Sequence, residues 1–125
     1  MTASVFVILR YEESAGDENK TLIIAMNHNY FVYILTNKNK TVLYTGVTND
    51  LEVRLKQHIE NKENKFAFTF KYNCHYLIFF ERYQFIEHAI EREKEIKGWT
   101  RKRKNELIEI ENPDWRFLNE EIIER

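Results

Sequence analysis

The sequence predicts an α/β domain of the α+β kind, with a small three-stranded antiparallel sheet flanked by helices in the order β-β-α-β-α-α. Three observations predict it. Two runs dense in β-branched and aromatic residues, Tyr30 to Thr36 and Thr41 to Val47, are separated by the polar Asn37-Lys38-Asn39-Lys40, the pattern of a β-hairpin. Apolar residues recur at helical spacing in Leu51-Leu55-Ile59 and again in Phe85-Ile86-Ala89-Ile90-Ile96, with an extended apolar run between them. At 125 residues, 43% hydrophobic and 31% charged, the chain has the size and composition of one ordinary core.

Residues 1–29 are poorly patterned, with a short apolar stretch, the polar run from Tyr11 to Lys20 and then Thr21 to Ala25. They read as an extension, flexible or arising from an upstream start codon, ahead of a domain that occupies residues 30–118; residues 119–125 form an acidic tail. A hairpin turn centred between Lys38 and Asn39 pairs residues whose numbers sum to 77. Ile34 then faces Leu43, Tyr33 faces Tyr44, and the two tyrosines share a face. Gly46 ends the second strand, and Asn49 as N-cap with Glu52 three residues on opens a helix from about Asp50 to Asn61.

Lys65 to Tyr72 alternates Phe66, Phe68, Phe70 and Tyr72 with smaller or polar residues, the look of an extended segment whose rings are mostly core. The third core strand fits best at His75 to Glu81. A helix from Gln84 to Trp99 follows, with Gly98 as a break, and a shorter one covers Arg101 to Glu111 until Asn112-Pro113 stops it. Trp115 and Phe117 are expected to fold back on the core.

The lone Cys74 has no partner for a disulfide or a thiol metal site and reads as a small core or strand residue. No apolar run approaches the roughly 18 to 20 residues that span a bilayer, so no membrane role is expected and a cytoplasmic location is the default. The net charge of −1 conceals a segregation: Lys97, Arg101, Lys102, Arg103 and Lys104 fall in one stretch without an acid, whereas from Glu106 to Arg125 seven acids meet two arginines. The basic stretch is a candidate nucleic-acid contact or merely a solvated helix face.

Arg54 and His58 stand four apart on the first helix and project together, beside its apolar stripe. An arginine there suits a phosphate and a histidine suits a proton relay, although an isolated pair reads first as an ordinary surface pair, and the functional reading gains only from its neighbours. Glu93 lies within the apolar stripe of its helix. A lone carboxylate is costly there, so it is either bound to metal or held in an internal salt bridge. Tyr33 and Tyr44 alone amount to a cross-strand aromatic pair.

The order Tyr33, Tyr44-Thr45-Gly46, Arg54 with His58, and Glu93 resembles the GIY-YIG nuclease superfamily. Phe31-Val32-Tyr33 stands for the first triplet and Tyr44-Thr45-Gly46 for the second. The likeness runs from Tyr30 to about Leu118, through Phe70-Lys71-Tyr72-Asn73, Arg92 to Trp99 and Asn112-Pro113-Asp114-Trp115. It is greatest to the small stand-alone bacterial members and to the N-terminal domain found in excinucleases. Phe31 and Thr45 depart from the triplets but spare both tyrosines and Gly46.

The resemblance implies that Tyr33 and Tyr44 flank an attacked phosphate, Arg54 stabilises its charge, and Glu93 binds one divalent cation, Mg²⁺ with Mn²⁺ as the alternative. His58 matches a position that relatives fill with His or Tyr. A family asparagine corresponds to Asn105 by spacing, with Asn112 in competition. The implied activity is metal-dependent hydrolysis of DNA phosphodiesters, with Lys97 to Lys104 along the backbone. The alternative is a non-cleaving nucleic-acid-binding or structural domain of the same fold.

Overall fold

Tyr30–Thr36 (β1) and Leu43–Thr48 (β2) form the expected hairpin in the computed structural model, which describes residues 29–60 and 67–123. The extension before residue 29, Phe66, the helix end at Asn61 and the last two residues of the acidic tail lie outside the described residues. The hairpin register differs from the expected one by two: Tyr33 lies opposite Gly46, Ile34 opposite Thr45 and Leu35 opposite Tyr44. The cause is Asn37. Its Oδ1 accepts from the backbone N–H of Thr41 (2.8 Å) and Val42 (3.2 Å), while the Lys40 N–H donates to the Asn37 carbonyl at 3.0 Å. Lys40 turns left-handed at φ 59°, and Thr41 and Val42 are drawn into the turn, which moves its centre by one residue. A slip of two returns every side chain to its original face. Tyr33 and Tyr44 therefore still share a face, as diagonal neighbours.

Tyr76–Tyr83 (β3) pairs antiparallel with the other side of β1, giving the order β2-β1-β3 with β1 central. A bulge between Ile34 and Leu35 lets Ile34 pair with Phe79 and Leu35 with Leu77. Beyond it, the Leu118 N–H donates to the Leu77 carbonyl at 2.7 Å and Asn119 Oδ1 accepts from the Leu77 N–H at 2.8 Å, so the C-terminal segment covers the β3 edge.

Helices cover both faces of the sheet. Val32, Ile34 and Val47 pack with Ile78 and Phe79 against Ala89 and Ile96 of Ile86–Lys97 (α3) and Ile108 of Arg101–Glu111 (α4). On the opposite face Tyr33, Leu35 and Tyr44 pack with Leu77, Cys74 and Leu118 against Leu51 and Leu55 of Leu51–Glu60 (α1). Cys74 is buried as expected.

Several elements correct the expectations. Asp50, not Asn49, caps α1, its Oδ1 accepting from the Val53 N–H at 3.1 Å. The buried face of α1 is Leu51, Arg54, Leu55 and His58, whereas Ile59 is 50% exposed. Spacing explains it, because i, i+3, i+4 and i+7 define one face, and Ile59 lies on its far flank. The aromatic segment is not extended: Ala67–Tyr72 forms a short helix (α2) with Phe68 and Phe70 exposed. Asn73, at φ 56°, closes it as the Cys74 N–H donates to the Thr69 carbonyl at 2.8 Å, a helix stop built on a left-handed residue. Phe85 sits half-exposed ahead of α3. Trp115 packs on the core, but Phe117 lies at the surface against Tyr76 and Leu118 is buried instead. A last short helix, Asn119–Ile122 (α5), falls in the expected tail. Among the described residues no helix is long and apolar enough to cross a membrane.

Candidate active site

The sheet face under α1 gathers Tyr33, Tyr44, Arg54 and His58. All four are buried: Tyr33 completely, Tyr44 with 8% of its surface still exposed. Strand alternation places Tyr33 and Tyr44 on this face, and the i, i+4 spacing of Arg54 and His58 aims both at it from the helix above.

Gly46 makes the arrangement possible. Tyr33 sits opposite it, and a Cβ there would lie 2.5 Å from the ring's Cζ and Oη and 2.9 Å from Cε1. The bare glycine backbone is the floor on which the Tyr33 ring lies.

The Tyr33 hydroxyl and His58 Nε2 are hydrogen-bonded at 2.9 Å, and His58 Nδ1 and Thr69 Oγ1 at 3.0 Å. Burial drives the His58 pKa down to about 3, and the nearby Arg54 cation pushes the same way. The imidazole is therefore neutral near pH 7, with one N–H. Two tautomers satisfy both bonds. Tyr33 donates to Nε2 while Nδ1–H donates to Thr69, or Thr69 donates to Nδ1 while Nε2–H donates to Tyr33. Burial also raises the Tyr33 hydroxyl far above its ordinary range, as does Tyr44, with Arg54 acting in opposition by charge and hydrogen bonding. Tyr33 is thus a protonated phenol with a neutral base beside it. The Tyr44 ring lies 6.2 Å from that of Tyr33 and 5.4 Å from that of His58, edge-on to the imidazole. Its slight exposure gives this cluster a route outward.

Glu93 is placed differently. It is buried at 6% exposure on α3, whose Ala89 and Ile96 pack on the other face of the sheet, and it is paired with Lys97 Nζ at 2.8 Å. The internal salt bridge weighed for it in the sequence is formed. Lys97 in turn lines a groove of about 200 Å³ with Leu43, Tyr44, Thr45, Phe68 and Lys104, beside β2. Glu93 and the tyrosine cluster are therefore linked around β2, not across a common face.

The basic stretch divides. Arg101 donates from Nη1 to the Thr41 carbonyl at 2.9 Å and from Nη2 to the Lys40 carbonyl at 3.0 Å, clamping the hairpin turn to α4. The Arg103 guanidinium lies 4.0 Å from the Trp99 ring centre, Lys102 is exposed, and Lys104 and Lys97 face the groove. Asn105 accepts from Arg101 Nε at 2.9 Å. The competing Asn112 is a structural residue: buried, it donates to the carbonyls of Ile78 and Arg116, both at 2.9 Å. Sequence reading did not find Thr69, the second partner of His58. Its signal was a hydroxyl flanked by two phenylalanines, visible once the segment is drawn as a helix.

A family model described as the GIY-YIG catalytic domain matches residues 29–106. A UPF0213 protein of Haloquadratum walsbyi is 36% identical over 84 residues, covering 67% of this chain and 91% of that protein. One from Bacillus velezensis is 36% identical over 85 residues, covering 66% and 80%. The solution NMR structure of a UPF0213 protein from Bacillus halodurans, 26% identical, covers 70% of this chain and 89% of that one with a TM-score of 0.44.

Proposed function

We propose, from the premise that the chain belongs to the GIY-YIG family, that it is a metal-dependent endonuclease acting on DNA phosphodiesters through Tyr33, Tyr44, Arg54, His58 and Glu93. The family implies a nuclease-like domain, a nucleic-acid substrate and the general use of a divalent cation. The observation that carries the reading is the Tyr33 to His58 hydrogen bond at 2.9 Å, closed in beside Arg54 and Tyr44. Packing alone does not require a buried imidazole, phenol and guanidinium in one place, and burying them carries a desolvation cost.

The residues fit a cation that keeps most of its water. Among the described residues no three His, Cys, Asp or Glu side chains gather into a cage, and a cation held by Glu93 with most of its water in place is a coordination that Mg²⁺ favours. Glu93 would hold it, with Lys97 displaced, and when bound the ion supplies positive charge to the leaving oxygen. The remaining work falls to the chain's own groups. Tyr44, which retains some exposure, meets the attacking water. Tyr33 is a positioning residue, because it is fully buried and acts through its neighbours. The proton released by the attacking water leaves by way of the Tyr44 hydroxyl to solvent, while His58, kept neutral by its burial and by Arg54, holds the Tyr33 hydroxyl in place through Nε2. Arg54 stabilises the charge developing on the phosphoryl oxygens.

The test is incubation of single-stranded, duplex and branched DNA with Mg²⁺ or Mn²⁺, comparing wild type with Tyr44→Phe, Arg54→Ala, His58→Ala and Glu93→Ala. Loss of cleavage in all four is expected, and cleavage that survives Glu93→Ala and Tyr44→Phe refutes the assignment. One observation favours a second reading, a non-cleaving nucleic-acid-binding domain: Glu93 already carries a counter-cation in Lys97. Salt-sensitive binding without cleavage by the wild type selects that reading.

A further inference from the structure

The groove beside β2 combines an aromatic wall with a basic one. One wall is aromatic: the Phe68 ring lies 5.9 Å from Tyr44 at a tilt of 31° and 4.8 Å from Tyr72, yet Phe68 is 45% and Tyr72 39% exposed. The other wall is lined by Lys104 and by Lys97, whose ammonium is paired with Glu93. Burial lowers the Lys104 pKa, and the positive charges of Arg101 and Lys97 add to the effect. An anion between these lysines would relieve that repulsion. An apolar peptide would leave the Lys104 charge unanswered, Lys97 being already met by Glu93 at 2.8 Å, and a simple anion would leave the Phe68 ring exposed.

Resting on the nuclease reading above, we propose that this groove is a stacking subsite for one unpaired nucleotide, its base on the Phe68 ring and its phosphate between Lys97 and Lys104. A base within a duplex has both faces covered by its neighbours, so the ring selects a nucleotide that is unstacked, in a single strand, a flap or a loop. Because Tyr44 belongs both to this groove and to the tyrosine cluster, the stacked nucleotide adjoins the reacting phosphate and sets its register.

The test measures binding by fluorescence anisotropy with EDTA present, using one labelled oligonucleotide single-stranded and in duplex form. The proteins are wild type, Phe68→Leu, Phe68→Trp and Lys104→Ala, with circular dichroism to verify folding. Phe68→Leu preserves apolar bulk and removes only the aromatic face. It is expected to weaken single-strand binding by roughly tenfold, within the range of one stacked base, and to leave duplex binding unchanged, with Phe68→Trp restoring it. Lys104→Ala is expected to reduce the salt dependence by about one phosphate contact. Equal effects of Phe68→Leu on both forms, no effect on either, absence of nucleic-acid binding, or equally good competition by an acidic peptide overturns the subsite. Cleavage measured in parallel with Mg²⁺ separates the two claims. Cleavage with binding that ignores Phe68 refutes the subsite alone, and Phe68-dependent binding without cleavage refutes the nuclease reading alone.

Discussion

Gly46→Ala is the smallest change that tests the architecture of the tyrosine cluster. The backbone at Gly46 has no positive φ, so alanine meets no conformational penalty, and in an unstrained position the lost chain entropy would favour alanine by roughly 0.4 to 1 kcal/mol. Sterics reverse that sign. The new Cβ would sit 2.5 Å from Tyr33 Cζ and Oη, far inside van der Waals contact. Tyr33 is completely buried and hydrogen-bonded to His58, so the ring cannot swing clear without breaking that bond. Overpacking of this kind costs about 1 to 3 kcal/mol, and the rigid ring places it towards the upper end. The net expectation is a loss of about 2 kcal/mol, measured as a lower urea midpoint at unchanged m-value. In a Tyr33→Leu background the three clashing ring atoms are absent, and the same Gly46→Ala change should become neutral or mildly stabilising. The sign reversal is the diagnostic, a coupling of about 2 to 3 kcal/mol between residues on neighbouring strands. An equal cost in both backgrounds refutes the account of Gly46 as the floor beneath Tyr33.

Lys97→Met leaves the buried Glu93 carboxylate without its 2.8 Å partner and should lower stability by roughly 2 kcal/mol, below the range for fully buried pairs because Lys97 retains some water. Mg²⁺ should raise the thermal midpoint of this variant more than that of wild type, and identical responses would argue against Glu93 as the cation ligand. His58 has a folded pKa of about 3 against 6.5 unfolded, so between those values the unfolded chain binds the extra proton. Its contribution is complete above pH 6.5 and is lost as pH falls towards 3, at most about 5 kcal/mol by linkage. Urea midpoints at pH 7 and pH 4 should therefore diverge in wild type and converge in His58→Gln, and equal pH dependence in both would contradict the buried neutral imidazole. Asn112→Ala removes donors to two carbonyls and an acceptor for the Arg116 N–H, and should cost about 2 to 3 kcal/mol while leaving the pH profile of cleavage unchanged. A changed pH profile would bring Asn112 back as a member of the site.

Period and turn chemistry made most of the fold readable. The hairpin, the helix from Arg101 to Glu111 and the third strand follow from local pattern, and the slip of two in the hairpin traces to a side chain, Asn37, whose capture of two N–H groups no periodicity reports. Phe68, Phe70 and Tyr72 misled for a physical reason. Alternation has period two, but residues four apart also meet on a helix, and six residues are too few to separate the two. What decided the matter was Thr69, anchored to His58 from another element, with Asn73 ending the turn in a left-handed conformation. The burial of Arg54 and His58 was legible only in outline. Their spacing put them beside the apolar stripe of α1, whereas their partners on the sheet face beneath the helix drew them into it and left Ile59 outside.

Glu93 shows what strand geometry adds to a list of residues in order. Adjacent residues on a strand point to opposite faces, so Tyr44 belongs to the α1 side of β2 and Thr45 to the α3 side. Among the described residues β2 is an edge strand, paired with β1 alone. A phosphate addressed by Tyr44 and Arg54 from one side and by a Glu93-bound ion from the other can lie only around the outer edge of β2, where Tyr44, Thr45 and Lys97 line the same groove. On this reading the bound strand crosses the sheet edge instead of resting on a face. If Glu93 holds the ion as proposed, its pair with Lys97 at 2.8 Å stands at that crossing and has to open for the ion to bind.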